Sequence, residues 1–396
     1  MLISAQEAAR RLGVKPATLY AYVSRGLLRS SPGPDSRERR YYVEDVQRLM
    51  GQRQRGGRSG TPLKPFDKFT PVLDTSLSLI ENERLYYRGK DASALAETAD
   101  LEAVAQLLWG LDASEPPKIG VLRGELRSLL VRSRLPATAM ERALSVLVGL
   151  GMKDVGALDI SPQAVVRTGS RLVSALAASV TTTLPNAVPV HRQLAKAWGL
   201  DEQGADLVRR CLVLAADHEL NASTYVARCI ASTGASPYAA VVGALGALSG
   251  PRHGGETSAV EMLLREVLRT ANLRGAIARR LQRGERIPGF GHPLYPNGDP
   301  RAAHIFDAVK ASRYARQSEA PLQIAREISA LIGRRPNVDF ALGLLSVVLK
   351  LPPGSGLGIF LVARSVGWIA HLMEQYATAT IIRPRARYVG LLPAQG

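Results

Sequence analysis

Three of the six histidines in this 396-residue chain stand where a helical segment has no structural need for them. His292 lies in IPGFGHPLYPNGDPR (287–301), where three glycines and four prolines crowd one imidazole. His253 lies in SGPRHGGETSAVEML, bracketed by Gly250, Gly254 and Gly255, with a helix expected from about Thr257. That arrangement would open both the backbone and the free amides of a helix N-terminus to a ligand. His218 lies in AADHELNAST, directly after the apolar run LVLAA. Once buried, Asp217, His218, Glu219 and Asn221 would each need a partner or a ligand. Zinc binding is disfavoured, because the three histidines are tens of residues apart with no Cys or His neighbour, so no metal is expected. His191, His304 and His371 follow helical patterns without breakers and are expected to be packed or surface groups.

The elements that must position these histidines are helices. Aromatic residues are sparse, and from about Pro65 apolar-periodic stretches alternate with short Gly/Pro/Asp punctuation. Leu101–Leu108, Ala137–Leu150, Ser170–Thr183, Asp201–Ala216 and Tyr238–Leu248 are such stretches, and they imply a multi-helix body with a deep core. There is no internal repeat and no nucleotide-type phosphate loop. Cys211 and Cys229 sit in apolar-periodic segments, which excludes a disulfide framework and points to the cytoplasm. MLISAQEAARRLG lacks the apolar core of a signal peptide, and no window holds eighteen uninterrupted apolar residues, so no membrane partner is expected.

The formal charge of +17 is unevenly spread: residues 1–60 hold twelve Lys/Arg against five Asp/Glu, a net +7 that calls for a polyanion or an acidic partner. ISAQEAARRLGVKPATLYAYVSRGLL predicts two short helices around a turn at Gly13. Ser4 and Glu7 would form a capping box, and Ala8, Leu12 and Val14 an apolar seam. The second helix would run from about Pro16 to Val23, with Leu19 and Val23 inward and Lys15, Thr18, Tyr20 and Tyr22 outward. Arg37, Arg39 and Arg40 suit a wing touching phosphates, before a third helix from about Val43. The pattern resembles the MerR and excisionase type of winged helix-turn-helix DNA-binding domain. Residues 1–50 form this module, and 51–64 a flexible basic linker.

Within the body, DHELNAST, GPRHGGE, PGFGHPLYPNGDPRA, RPNVDFALG, ARSVGWIAHLMEQ and IRPRARYVG, together with the early LYYRGKDASALAE, resemble in that order the motifs of the citrate synthase family. The resemblance spans about Phe66 to Gly390. It implies an all-α, two-domain homodimer: a large domain of residues 65–253 and 346–396, and a small domain of 254–345 that closes over acetyl-CoA. It also implies condensation of acetyl-CoA with the ketone of oxaloacetate or a related 2-oxo acid, then hydrolysis of the acyl-CoA, with no permanently bound cofactor.

Such chemistry needs a carboxylate base and a donor aimed at the thioester oxygen. By the resemblance, Asp339 matches the base and His253 the neutral donor, while His292 matches the group that polarises the ketone and protonates the alkoxide. His218 matches a histidine that holds the oxo acid. Arg301 and Arg364 match carboxylate clamps, and Arg383 one contributed across the dimer. Arg364 is also notable by itself, because IFLVARSVGWIA surrounds a guanidinium with apolar residues, and it needs a substrate or a structural carboxylate as partner. Ile287, Pro288, Gly289, Phe290 and Gly291 resemble the turn that receives the adenine of CoA.

The chain departs from the family at three places. Pro293 follows His292 where a non-proline, often Arg, is usual; Glu256 and Thr257 replace a small residue and Asn; and Ala341–Gly343 replace a frequent Tyr-Ser pair. None removes a chemical group from the mechanism. Three functions fit: an active synthase with a DNA-binding appendage, a transcription regulator whose body senses CoA or an oxo acid, and a synthase whose appendage is an oligomerisation arm.

Overall fold

The computed structural model describes residues 2–12, 14, 18–19, 22–23, 28–32, 39–43, 45–46, 73–112, 123–132, 138–270, 272–386 and 390. The chain divides into two compact units, Met1–Val72 and Leu73–Gly396. Lys15, Tyr20, Arg37 and the expected linker lie outside the described residues.

In the N-terminal unit, β1 (Leu2–Ser4) leads into α1 (Ala5–Leu12), and β2 (Ser30–Pro32) pairs antiparallel with β3 (Arg39–Tyr42). β1 pairs with the other edge of β3, giving the order β1-β3-β2. The wing is therefore a hairpin widened by a strand of three residues, too short for sequence periodicity to announce. The Ser4 hydroxyl accepts the Glu7 amide at 3.3 Å, as the cap requires. The Glu7 carboxylate, however, is held by Arg11 at 2.7 Å and by Arg10 at 2.5 Å. Ala8, Ala9, Leu12, Leu19, Leu28, Tyr41 and Val46 make the core, with Val14 and Val23 partly buried against it. Tyr22, expected outward, also packs against this core, to which its ring adds apolar area. Residues 18–19, 22–23, 43 and 45–46 are helical, and Arg39 and Arg40 are exposed.

The second unit is almost wholly helical. A small antiparallel sheet, β4 (Ser78–Glu81), β5 (Arg84–Tyr87) and β6 (Lys90–Asp91), opens it. Then follow α2 (Ala92–Thr98), α3 (Leu101–Trp109), α4 (Arg123–Arg132), α5 (Ala139–Gly151), α6 (Pro162–Thr181), α7 (Val190–Ala197) and α8 (Glu202–Ala215). The chain continues through α9 (Ala222–Ala231), α10 (Pro237–Leu248), α11 (Gly255–Val267), α12 (Leu273–Gln282), α13 (Pro300–Ala311), α14 (Ala315–Ile332), α15 (Val338–Val348) and α16 (Ser355–Thr378). All five apolar-periodic stretches are helices. α6 begins eight residues before the expected Ser170, because Pro162 starts the helix while Gln163, Arg167 and Gly169 obscure its apolar period.

The 24-residue α16 is the hub, packing against α3, α6, α8, α9, α10, α11 and α15. It is long and apolar enough to cross a membrane, yet 89% of its most apolar window is buried inside the body, the position of a core helix. Gly367 lets it touch the end of α8: an added Cβ there would stand 2.4 Å from the Ala216 carbonyl oxygen. That close approach brings Arg364 to the loop that carries His218.

Candidate active site

A cavity of about 240 Å³ is lined by His218, Asn221, Arg252, His253, Glu256, Arg286, Gly291, His292, Pro293, Arg301, Asn337, Val338, Asp339, Phe360 and Arg364. All three singled-out histidines, the acid and two of the three expected arginines thus meet at one place. Larger hollows of about 600 and 500 Å³ lie elsewhere, but neither is lined by His218, His253, His292 or Asp339. Convergence of buried polar groups, rather than size, marks the site.

The loop after α8 shows why His218 points inward. Asp217, fully buried, accepts the Ser78 hydroxyl at 2.6 Å and faces His371 Nε2 at 3.3 Å. Glu219 accepts the Ile80 amide, and Asn221 caps α9 by accepting the Thr224 amide. The β4–β5 hairpin and α16 therefore satisfy most of this polar run. What remains for the cavity is the His218 ring, whose Nε2 lies 2.9 Å from the Tyr295 hydroxyl, and the Asn221 Nδ2, buried without a partner. Burial, helped by Arg301 and Arg364, holds His218 well below the ordinary imidazole range.

His253 stands differently from the expectation. α11 starts at Gly255, two residues early, and its first amides are already used: Gly255 donates to Gly250 O and Glu256 to His253 O. Gly254 and Gly255 serve close packing, since an added Cβ would stand 2.7 Å from Leu248 O or 2.9 Å from Gly250 O. The helix terminus is thus closed to a ligand, and side chains face the cavity instead: the His253 imidazole, flanked by Arg252 and Glu256. His253 Nε2 lies 2.8 Å from Ser223 Oγ, which also accepts the Trp368 Nε1 hydrogen at 3.2 Å. Burial lowers its pKa to about 4, so it is neutral at pH 7.

His292 is lowered to about 4 as well, by burial and then by Arg301. Its Nδ1 accepts the Leu294 amide at 3.2 Å, which leaves the proton of the neutral ring on Nε2. The ring centroid is 5.1 Å from that of His218 and 4.9 Å from that of Tyr295. Gly289 and Gly291 take φ of +83° and +78°, and a Cβ on Gly289 would meet Val260 at 2.5 Å. Their amides are consumed internally, Gly289 by Glu256 Oε1 and Gly291 by the Arg335 carbonyl. The glycines therefore shape the turn without exposing its amides. Of Ile287–Gly291, Gly291 lines the cavity, Pro288 is half-buried, and Ile287, Gly289 and Phe290 are buried.

Asp339 occupies the first turn of α15, capped by Asn337, and accepts the Thr257 hydroxyl at 2.5 Å. Burial pushes its pKa up to about 6 against that hydrogen bond. Arg364 is 1% exposed; its Nε donates to Ala215 O at 2.9 Å, its guanidinium lies 4.7 Å from the Phe360 ring centre, and its Nη2 is buried without a partner. Burial brings its pKa down to about 10, still a cation at pH 7. Arg301 differs from the expectation: its Nε and Nη2 grip Asp299, at 2.9 and 2.8 Å, so that fork is occupied and Nη1 remains. Arg383 is exposed and stands apart from the cavity, on a tail fastened by the Ile382 amide to Ser232.

Residues 68–385 match the family description "Citrate synthase, C-terminal domain". The chain belongs to the citrate synthase family. It is 31% identical over 350 residues to citrate synthase 2 of Bacillus subtilis, covering 80% of this chain and 93% of that one. It is equally 31% identical over 353 residues to 2-methylcitrate synthase 1 of Corynebacterium glutamicum, covering 80% and 92%. The crystal structure of citrate synthase from Thermotoga maritima superposes with a TM-score of 0.68 at 26% identity, covering 85% of this chain and 98% of that one. Residues 2–54 match a helix-turn-helix domain. The protein thus joins a synthase-type body to a helix-turn-helix unit. Sequence reasoning passed over Ser223 and Tyr295, and it met Asn221 only as a buried polar group and Thr257 only as a departure from the family; the polar run DHELNAST was the available signal for Ser223.

Proposed function

We propose that the body condenses acetyl-CoA with the ketone of oxaloacetate or a closely related 2-oxo acid, then hydrolyses the thioester product. The observation that carries this is a raised-pKa carboxylate, two neutral histidines and a buried guanidinium with an unpartnered Nη2, all on one cavity. Asp339 takes a proton from the thioester methyl group. His253 donates to the thioester oxygen from Nδ1, the ring nitrogen Ser223 does not hold, which requires the Ser223 hydroxyl hydrogen to turn from Asn221 Oδ1 to His253 Nε2. The enol carbon attacks the ketone, whose oxygen collects the proton from His292 Nε2. Water then cleaves the thioester, releasing the CoA thiol and a carboxylate.

Arg364 Nη2 and Arg301 Nη1 hold the substrate carboxylates, and His218 and Asn221 hold the oxo acid from the other wall. Arg383 completes the clamp from the second subunit of a homodimer. The 287–291 turn seats the adenine of CoA beside Arg252 and Arg286, and residues 254–345 move as the closing small domain. No permanently bound cofactor enters these steps. The N-terminal unit binds DNA in the cytoplasm through its second helix and the Arg39–Arg40 wing.

Thiol release by the purified chain, with acetyl-CoA and a panel of 2-oxo acids, tests the enzyme. Release with oxaloacetate or a short-chain relative is expected; none with any member of the panel refutes it. The helix-turn-helix match favours one further function, a regulator that senses CoA or an oxo acid, which would bind these ligands without releasing thiol.

A further inference from the structure

We infer that Thr257 and Glu256, adjacent on the first turn of α11, are positioning residues that together set the strength and direction of the Asp339 carboxylate. The inference rests on Asp339 acting as the base. Both side chains are buried, at 0% and 6% exposure, and both occupy places where the family resemblance implies a small residue and Asn.

The Thr257 hydroxyl donates to Asp339 Oδ1, while the Thr257 methyl packs against α16: an added Cβ on Gly356 would stand 3.1 Å from it. The main chain of Asp339 is fixed separately, since Asn337 Oδ1 accepts the amides of both Asp339 and Phe340. One carboxylate oxygen is therefore tied, and Oδ2 is left to meet the substrate. Glu256 Oε1 accepts the Gly289 amide and Arg286 Nη2, each at 2.8 Å, which keeps a second carboxylate at the cavity wall. A hydroxyl donor favours the ionised form of a carboxylate, and a neighbouring negative charge disfavours it. The two residues thus act on Asp339 in opposite directions. The other charges facing Asp339 are Arg301 and Asp299 at the start of α13 and Arg364 on α16, with His253 and His292 neutral on the same cavity.

The test is the acidic limb of kcat/KM for thiol release, measured on the full chain. Thr257→Val keeps shape and removes the donor, and its midpoint should rise by about one pH unit, the size of one lost hydrogen bond to a charged group. Thr257→Ser keeps the donor and should hold the parent midpoint. Glu256→Gln keeps an acceptor for Gly289 but not the charge, and its midpoint should fall by about half a unit. Should Thr257→Val fail to fold, Glu256→Gln decides. A parent enzyme that turns over, with superimposable profiles for the variants, overturns this inference alone. A parent that releases no thiol with any 2-oxo acid overturns the proposed reaction instead.

Discussion

In the N-terminal unit, Arg10 and Arg11 hold Glu7 on the outer face of α1, and Arg10 keeps 78% of its side chain in solvent. In the body, Arg301 and Asp299 pair at 3% and 0% exposure, and Arg364 is buried with one nitrogen unpartnered. Among the described residues, the first unit carries its cations on the surface, where they can move and be screened by salt. The second, besides its surface cations, carries a few inward, among them Arg301 and Arg364, where an unpaired charge is tolerable only if an anion arrives. The same residue type therefore implies two kinds of partner: a polyanion read by many weak contacts, and a small carboxylate gripped by a few strong ones.

Asp339→Asn is the change that strikes the inward arrangement hardest. Turnover should fall by about 10³-fold or more, measured as thiol release at saturating substrates, while DNA affinity stays at the parent value. Stability should move the other way. Folding raises the Asp339 pKa from 3.8 to about 6, so the folded state is penalised as pH rises through that interval and carries the full cost, about 3 kcal/mol, above it. The Asn variant escapes this cost, and at pH 8 its Tm should rise by a few degrees. Next in size is Arg364→Met, which removes the buried cation and should lower kcat/KM for the oxo acid about 100-fold, mainly through KM. An unchanged KM would show that Arg364 serves the fold and not the substrate.

The sequence conveyed the cast of this site better than its wiring. His218, His253 and His292 could be singled out because breakers and polar clusters interrupt apolar periodicity around them, and such interruptions are visible in one dimension. Hydrogen-bond direction is not. The Arg301 fork is filled by Asp299, only two residues away, and the glycines around His253 are packing contacts; both follow from three-dimensional approach. Thr257 was legible only as a departure, because its bond to Asp339 joins positions 82 residues apart. Helices long enough to show their period were placed well, whereas β1 was too short to show one, and Tyr22 was drawn inward by a small core that needed its ring.

The pH dependence separates the two regions again. Above about pH 5, His253 and His292 are largely neutral, so the acidic limb of kcat/KM belongs to Asp339, with a midpoint near 6 and about a fivefold loss between pH 6 and 5. Thermal unfolding across the same range should show the body losing stability as pH drops from 6.5 toward 4. There the unfolded histidines gain protons that the folded ones, with pKa values lowered to about 4, refuse until later. A second limb near pH 6.5 would mean that one of these histidines is not buried during turnover.

The smallest expected effect lies at the wing, and it sharpens the contrast most. Arg39 and Arg40 are exposed on β3, and the register places Arg40 opposite both Ser4 and Ser31. If they meet phosphates, each contributes a screened contact worth little alone. Replacing both by Ala should weaken DNA binding only several-fold at moderate salt, yet reduce the slope of log affinity against log salt by about two, one per lost phosphate contact. Thiol release by the same variant should equal that of the parent. A variant that keeps the parent slope would place the wing away from the nucleic acid. The basic character of this unit would then serve another acidic partner, and the outward-facing cations would no longer be explained by DNA.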